Sequence, residues 1–176
     1  MGTGIIICGL NGAGKSTLGR ALAKELDFYF IDIEDLYFPK IDSDYTYASP
    51  RTRQEVETLL AGEINTHEDF VFASVHGDYG EAVSSSLRYV VLVSVPKEIR
   101  LQRVKDRSFQ KFGSRMLPGG DLCEREEKFF DFVRNRAENT VEEWIKQLCC
   151  PVDGMKSVKD NIRLIYKDVK DNEFLH

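Results

Sequence analysis

No stretch of this 176-residue chain is apolar for the ~18 consecutive positions that a membrane-crossing helix needs. The first residues, MGTGIIICGLNGAGK, lack the basic start and long apolar core of a secretory signal. Gly2 follows Met1, yet position 6 is Ile, so the myristoylation pattern fails. Cysteine is scarce, and Cys8, Cys123, Cys149 and Cys150 form no C-x-x-C pair, which argues against structural zinc and for a reduced, cytoplasmic setting. Positive charge is short as well: the net charge is −5, the wrong sign for wrapping a nucleic-acid polymer. Repeats, low-complexity tracts and linkers are missing too, so residues 1–176 are expected to form one domain, as monomer or homodimer.

What the chain does hold is 42% hydrophobic and 30% charged residues, enough for one sizeable core. Apolar runs alternate with helix-period segments. GIIIC (4–8), FYFI (28–31), FVFASV (70–75), YVVLVSV (89–95) and the short CPVDG read as buried strands. Between them, Leu18, Ala21, Leu22 and Leu26 mark one helix, and Val56, Leu59, Leu60 and Ile64 mark another. GEAVSSSL reads as a weak short helix, a further helix starts near Lys97, and 157–170 forms a last one. Residues 108–121 read as a Gly- and Pro-bearing surface loop, and Leu122 to Leu148 as one long helix of about seven turns. Cys149 and Cys150 then fall at the end of that helix and the start of a strand. The pattern predicts a three-layer α/β/α fold around a five-stranded parallel sheet.

One motif is specific. Gly9-Leu10-Asn11-Gly12-Ala13-Gly14-Lys15-Ser16, followed by Thr17, fits G-x-x-x-x-G-K-[ST] between a strand and a helix. Glycines let successive N–H groups turn inward on phosphate oxygens, and the helix aims its positive end at the same point. Lys15 bridges the β- and γ-phosphates, the Ser16 hydroxyl ligates Mg²⁺, and Thr17 reaches the α-phosphate. Gly9, Asn11, Gly12, Ala13 and Gly14 shape the cradle. A basic segment, Lys97 to Arg115, carries a local excess of five positive charges, as suits a compact anionic ligand. Arg103 and Arg107 lie four apart there, on one helical face.

With these residues in hand, the chain resembles the P-loop kinases of the nucleoside monophosphate kinase and shikimate kinase type. GLNGAGKSTLGRALAKEL (9–26) is similar to their opening, and FIDIEDLY (30–37) to the acidic end of their second strand. VVLVSVPKEIRLQRVKDR (90–107) is similar to the strand, proline and arginine-bearing helix that lead into their lid. RAENTVEEW (136–144) resembles the helix after the lid, and PVDGMKSVKDNI (151–162) the turn beside the adenine. The resemblance implies Mg-ATP as phosphate donor. It implies that Arg103 stacks on the purine near Gly154, that Arg107 and Arg136 clamp phosphates, and that 108–121 closes as a lid, bringing Arg115 with it.

The acceptor side is less determined. Asp32 ends the second strand next to the phosphate loop and is expected to hold a Mg²⁺-bound water or take a proton from the acceptor. The third strand ends in Ser74 and His76 instead of an acid, so Asp32 or Asp78 must serve the metal. Glu34 or Asp35 then faces the acceptor, with Tyr37, Phe38, Tyr45 and Tyr47 as a ring wall, Arg51 and Arg53 for an acceptor anion, and His76 near by. The acceptor itself stays open between nucleoside, nucleotide and hydroxy compound. A nucleotide-driven regulator or assembly ATPase is the competing class. N-K-x-D is missing, which sets GTPases aside.

Overall fold

The computed structural model describes residues 2–39, 45, 47–141 and 149–171. Five strands form one sheet: β1 Gly4–Cys8, β2 Tyr29–Asp32, β3 Phe70–Ser74, β4 Leu87–Ser94 and β5 Cys149–Asp153. Their spatial order is β2-β3-β1-β4-β5, and every pairing is parallel. Helices α1 Lys15–Leu26, α2 Ile33–Tyr37, α3 Arg53–Thr66, α4 Glu81–Ser86, α5 Lys97–Phe112, α6 Cys123–Asn135 and α7 Val158–Asp171 cover it.

The β-branched run of β1 explains its place at the sheet centre, since all five of its residues are buried and both faces need apolar cover. Its side chains alternate between two cores. Ile5 and Ile7 pack with Leu18, Leu22, Val91 and Ile165, which ties α1 and α7 to one face. Ile6 and Cys8 pack with Val56, Leu60, Phe72 and Val83, which ties α3 and α4 to the other. The three-layer arrangement expected from the sequence is therefore the one observed. Because β1 leads outward to β2 while β3 leads back across β1 to β4, connections diverge between β1 and β3. The crevice beyond their carboxyl ends is where such sheets bind ligands.

Four elements differ from the sequence expectation. Strand β2 is shifted by one residue, so Asp32 is both its last member and the N-cap of α2, whose five residues the sequence pattern did not reveal. The supposed loop 108–121 is largely ordered structure. Arg100, Val104, Ser108 and Phe112, four residues apart, form a buried stripe that carries α5 through to Phe112. Gly113 then ends it, with φ 57°. A 3-10 turn over Gly113–Met116 follows, closed by the Leu122 N–H on the Arg115 carbonyl (2.9 Å) and by a bidentate Arg115–Asp121 pair. The long helix stops at Asn135: Arg136 and Ala137 are extended, and a 3-10 turn occupies Glu138–Thr140. Trp144, Ile145 and Leu148, assigned to that helix, lie outside the described residues. Cys149 and Cys150 both belong to β5.

Candidate active site

The loop after β1 returns on itself through the Ala13 N–H to the Leu10 carbonyl (3.1 Å). Gly12 and Gly14 take φ of 82° and 94°, the left-handed region that side chains disfavour. The Gly12 position is also pressed against the backbone of Arg100, so a side chain there collides with α5. Helix α1 then begins at Lys15 with no side-chain cap and no acid in its first turn. Its leading N–H groups are left for an external anion.

Lys15 lies across this loop, its Nζ donating to the Leu10 carbonyl at 3.2 Å. Burial lowers its pKa to about 8, against the raising pull of Glu34 and Asp32; Arg107 and Arg136 lower it further. Those four side chains come from α2, β2, α5 and the segment after α6, so the fold gathers them around one ammonium. Asp32 accepts the Glu34 N–H on Oδ1 (3.1 Å), which fixes its rotamer at the strand end. Glu34 meets Arg107 at 3.6 Å, whereas Asp35 is exposed on the next position of α2. Arg136 is held over the loop by donating to Asn11 Oδ1 at 3.1 Å, and burial lowers its pKa.

On the opposite side of the loop, Arg103 Nη2 donates to the Gly154 carbonyl at 3.2 Å. Gly154 sits so near the loop that an added Cβ lies 2.9 Å from the Ala13 carbonyl. Ser16 is part-buried and Thr17 exposed on the first turn of α1. For a divalent cation, the donor set is a hydroxyl at Ser16 and a carboxylate at Asp32. The described residues contain no group of three or more His, Cys, Asp or Glu able to hold a metal. That sparse, all-oxygen set fits Mg²⁺, which keeps its waters and takes only one or two protein ligands beside phosphates.

On the acceptor side, His76 follows β3. Burial, then the charge of Arg136, lowers its pKa, so the ring is neutral at pH 7. Its Nδ1 accepts the Asp78 N–H at 3.3 Å, which leaves Nε2 as the protonated nitrogen. Asp78 is also bound by Arg53, which pairs with Glu57 in the same fork. Arg51 donates to the Leu36 carbonyl at 2.6 Å, fastening the end of α2. Phe38, Tyr45 and Tyr47 do cluster, joined by Phe112: ring centres are 4.9 Å apart for Phe38–Tyr47, 5.7 Å for Tyr45–Tyr47 and 5.2 Å for Tyr45–Phe112. Tyr37 leans on Phe38 at 6.3 Å.

Sequence reasoning overlooked four residues. Arg100, 3% exposed, donates to the carbonyls of Val95 (3.0 Å) and Asn11 (3.5 Å) and grips Glu138 with two bonds of 2.6 and 2.8 Å. It straps the phosphate loop to the segment that carries Arg136. Its sequence signal was the four-residue spacing with Val104, which marks an inward face. Tyr79 is buried with its hydroxyl 3.3 Å from that of Ser74, and burial raises its pKa to about 12. Glu126 stood on the helix face expected to turn inward, four residues from Leu122 and Phe130, but its partner lies 81 residues away; Glu138 carried no local signal, its partner being 38 residues away.

The family model described as AAA domain (AAA_18) matches residues 5–146. An uncharacterized protein, YqaC, of Bacillus subtilis (strain 168) is 31% identical over 158 residues, 84% of this chain and 85% of that protein. A shikimate kinase of Microcystis aeruginosa is 27% identical over 95% of this chain and 90% of its own length. Among solved structures, a gluconokinase from Sinorhizobium meliloti 1021 superposes with a TM-score of 0.58 at 16% identity, covering 98% of this chain and 96% of that one. A deoxyadenosine kinase from M. mycoides superposes at 0.54 and 17%, covering 96% and 99%.

Proposed function

This chain belongs to the AAA domain family AAA_18 and is a P-loop kinase of the nucleoside monophosphate and shikimate kinase type; from that premise we propose that it transfers the γ-phosphate of Mg-ATP to a small-molecule acceptor. The observation that carries the reading is the assembly at the phosphate loop of Lys15 on the Leu10 carbonyl, Arg136 on Asn11, and Asp32 capping the turn whose Glu34 meets Arg107. A site that only held a nucleotide needs the cradle. A site that moves a phosphoryl group needs cations around the equatorial oxygens and a carboxylate toward the acceptor as well.

In this reading the backbone of Gly9 to Gly14 and the first turn of α1 bind the phosphates. Lys15, Arg107 and Arg136 orient the transferred group and spread its charge. Ser16, with Asp32 through a bound water, would hold Mg²⁺, which would supply charge neutralisation at the phosphates. Asp32 has Oδ1 engaged by the Glu34 N–H and offers Oδ2 to the acceptor hydroxyl proton. Arg103 and the Gly154 turn take the purine, and residues 113–121 cover the phosphates and exclude water. Both supports are physical: Arg103 already touches Gly154, and Arg136 already touches the loop.

The test is to incubate the protein with Mg-ATP and a panel of nucleosides, nucleotides, sugars and hydroxy acids, following γ-phosphate by mass spectrometry. One acceptor is expected to gain a phosphoryl group and to accelerate ADP release. ADP formed at the same slow rate whatever is added, with no phosphorylated product, reverses the proposal in favour of a nucleotide-driven regulator.

A further inference from the structure

Helix α6 contributes a carboxylate that the proposed transfer does not use. Glu126 is 1% exposed. Its Oε1 accepts the Tyr45 hydroxyl at 3.0 Å, and its Oε2 is buried with no hydrogen-bond donor among the described residues. A carboxylate only accepts, and an oxygen removed from water without a donor is destabilising. Most such groups in folded proteins are paired, so this one marks a position where a donor arrives from outside.

The surroundings indicate what carries that donor. Tyr45, over which Arg125 lies at 5.1 Å, packs on Phe112 and edge-on to Tyr47, and Tyr47 packs edge-on to Phe38. Tyr47 also joins this cluster to the phosphate side. Phe38, edge-on to Tyr47 at 4.9 Å, donates its N–H to the Glu34 carbonyl at 2.9 Å, so the ring cluster adjoins the helix end that carries Glu34. An acceptor seated against Glu34 therefore reaches the Glu126 rings. The acids Asp32, Glu34 and Glu126 are balanced there by Arg107, by Lys111 (4.3 Å over the Tyr47 ring) and by Arg125, so shape and donor pattern, not net charge, set the ligand class. A polyol satisfies the oxygen but has no flat face for the rings. A planar heterocycle with an N–H on its edge satisfies both. The Tyr45 hydroxyl, a ring-borne donor on the same carboxylate, is the intramolecular example.

We propose that Glu126, with the rings of Phe38, Tyr45, Tyr47 and Phe112, recognises the phosphate acceptor, and that the acceptor is nucleoside-like: a planar base presenting an N–H donor, linked to the hydroxyl that receives the phosphate. The inference rests on the kinase reading and adds the substrate class to it.

The experiment compares adenosine with purine riboside, the same ring without an N–H donor, beside guanosine, cytidine, gluconate and shikimate, all with Mg-ATP and product detection by mass spectrometry. The wild-type protein is expected to favour adenosine over purine riboside by about tenfold to hundredfold in kcat/KM, the scale set by one hydrogen bond to a buried charge. In Glu126→Leu that preference falls to within about twofold, because the acceptor oxygen is gone. If the leucine variant does not fold, Glu126→Gln lowers the preference by at least about fivefold through loss of the charge. Equal use of adenosine and purine riboside by the wild type, or a preference that survives both substitutions, overturns the inference. Phosphorylation of gluconate or shikimate with no nucleoside product overturns it and leaves the kinase reading standing. No phosphorylated product from any acceptor overturns both.

Discussion

At the scale of the residue, Lys15 shows how one side chain can be read in two stages. Its type and spacing mark a phosphate ligand from sequence, but its proton affinity depends on neighbours scattered from Asp32 to Arg136. Desolvation brings its pKa to about 8, and bound phosphates push it back up. ATP affinity is thus expected to be flat below pH 8 and to weaken about tenfold per pH unit above it, measured by titration calorimetry from pH 7 to 9.5. The same shift acts on folding with the opposite sense. A lysine depressed in the folded state binds fewer protons than in the unfolded chain between about 8 and 10.5, so its contribution rises with pH across that window. Lys15→Ala is expected to weaken ATP binding on the order of a hundredfold or more, with no pH dependence left near 8. Asp32→Asn keeps the Oδ1 acceptor for the Glu34 N–H but loses the base. A fall in kcat of about 10²–10⁴ with little change in ATP affinity is the expected outcome, read from single-turnover transfer. Transfer at the wild-type rate removes Asp32 from the chemistry.

At the scale of the element, the ends of helices carry the site more than their middles do. Helix α1 presents an uncapped N-terminus, α2 is capped by the catalytic candidate itself, and α6 ends where Arg136 turns to the loop. The strap from Arg100 to Glu138 connects two such ends. Glu138 is 59% exposed at its side chain, so solvent discounts the pair, and Glu138→Gln is expected to cost only about 1 kcal/mol in urea unfolding. Its kinetic effect is larger in kind. Arg136 loses its fixed approach to Asn11, so kcat falls severalfold while the KM for ATP barely moves; Glu138→Asp, which keeps the charge, restores part of the loss. Equal changes in both constants mark the strap as structural alone. The continuation of α5 to Phe112 belongs here as well. The Gly- and Pro-bearing composition of 108–121 points to a loop, but the inward stripe Arg100, Val104, Ser108 and Phe112 outweighs it.

At the scale of the whole molecule, the sheet separates two cores that share β1 but not its side chains, beside a smaller cluster of Val104, Phe130 and Val133 between α5 and α6. Leu22 and Leu60 are both fully buried on opposite faces. Each truncation to alanine is expected to cost about 2–5 kcal/mol, and the double variant the sum within about 0.5 kcal/mol, by chemical denaturation. A markedly smaller sum indicates that the two faces relax together.

The phosphate loop, the strand–helix alternation and the parallel sheet were determined by sequence alone, because each rests on local chemistry: a glycine that tolerates positive φ, a β-branched run, a helix period. The second strand and most helix starts were legible for the same reason, to within a residue or two. Which carboxylate of IDIEDLYFPK faces the phosphates was not. Only the folded chain brings Glu34 to Arg107 and leaves Asp35 exposed, because facing depends on the one turn of α2 that starts at Asp32. Tertiary structure likewise decided that Arg100 is buried beneath the loop, and that Glu126 meets Tyr45 across 81 residues of chain. Those pairings follow from where the sheet order places segments distant in sequence, and no local pattern encodes that.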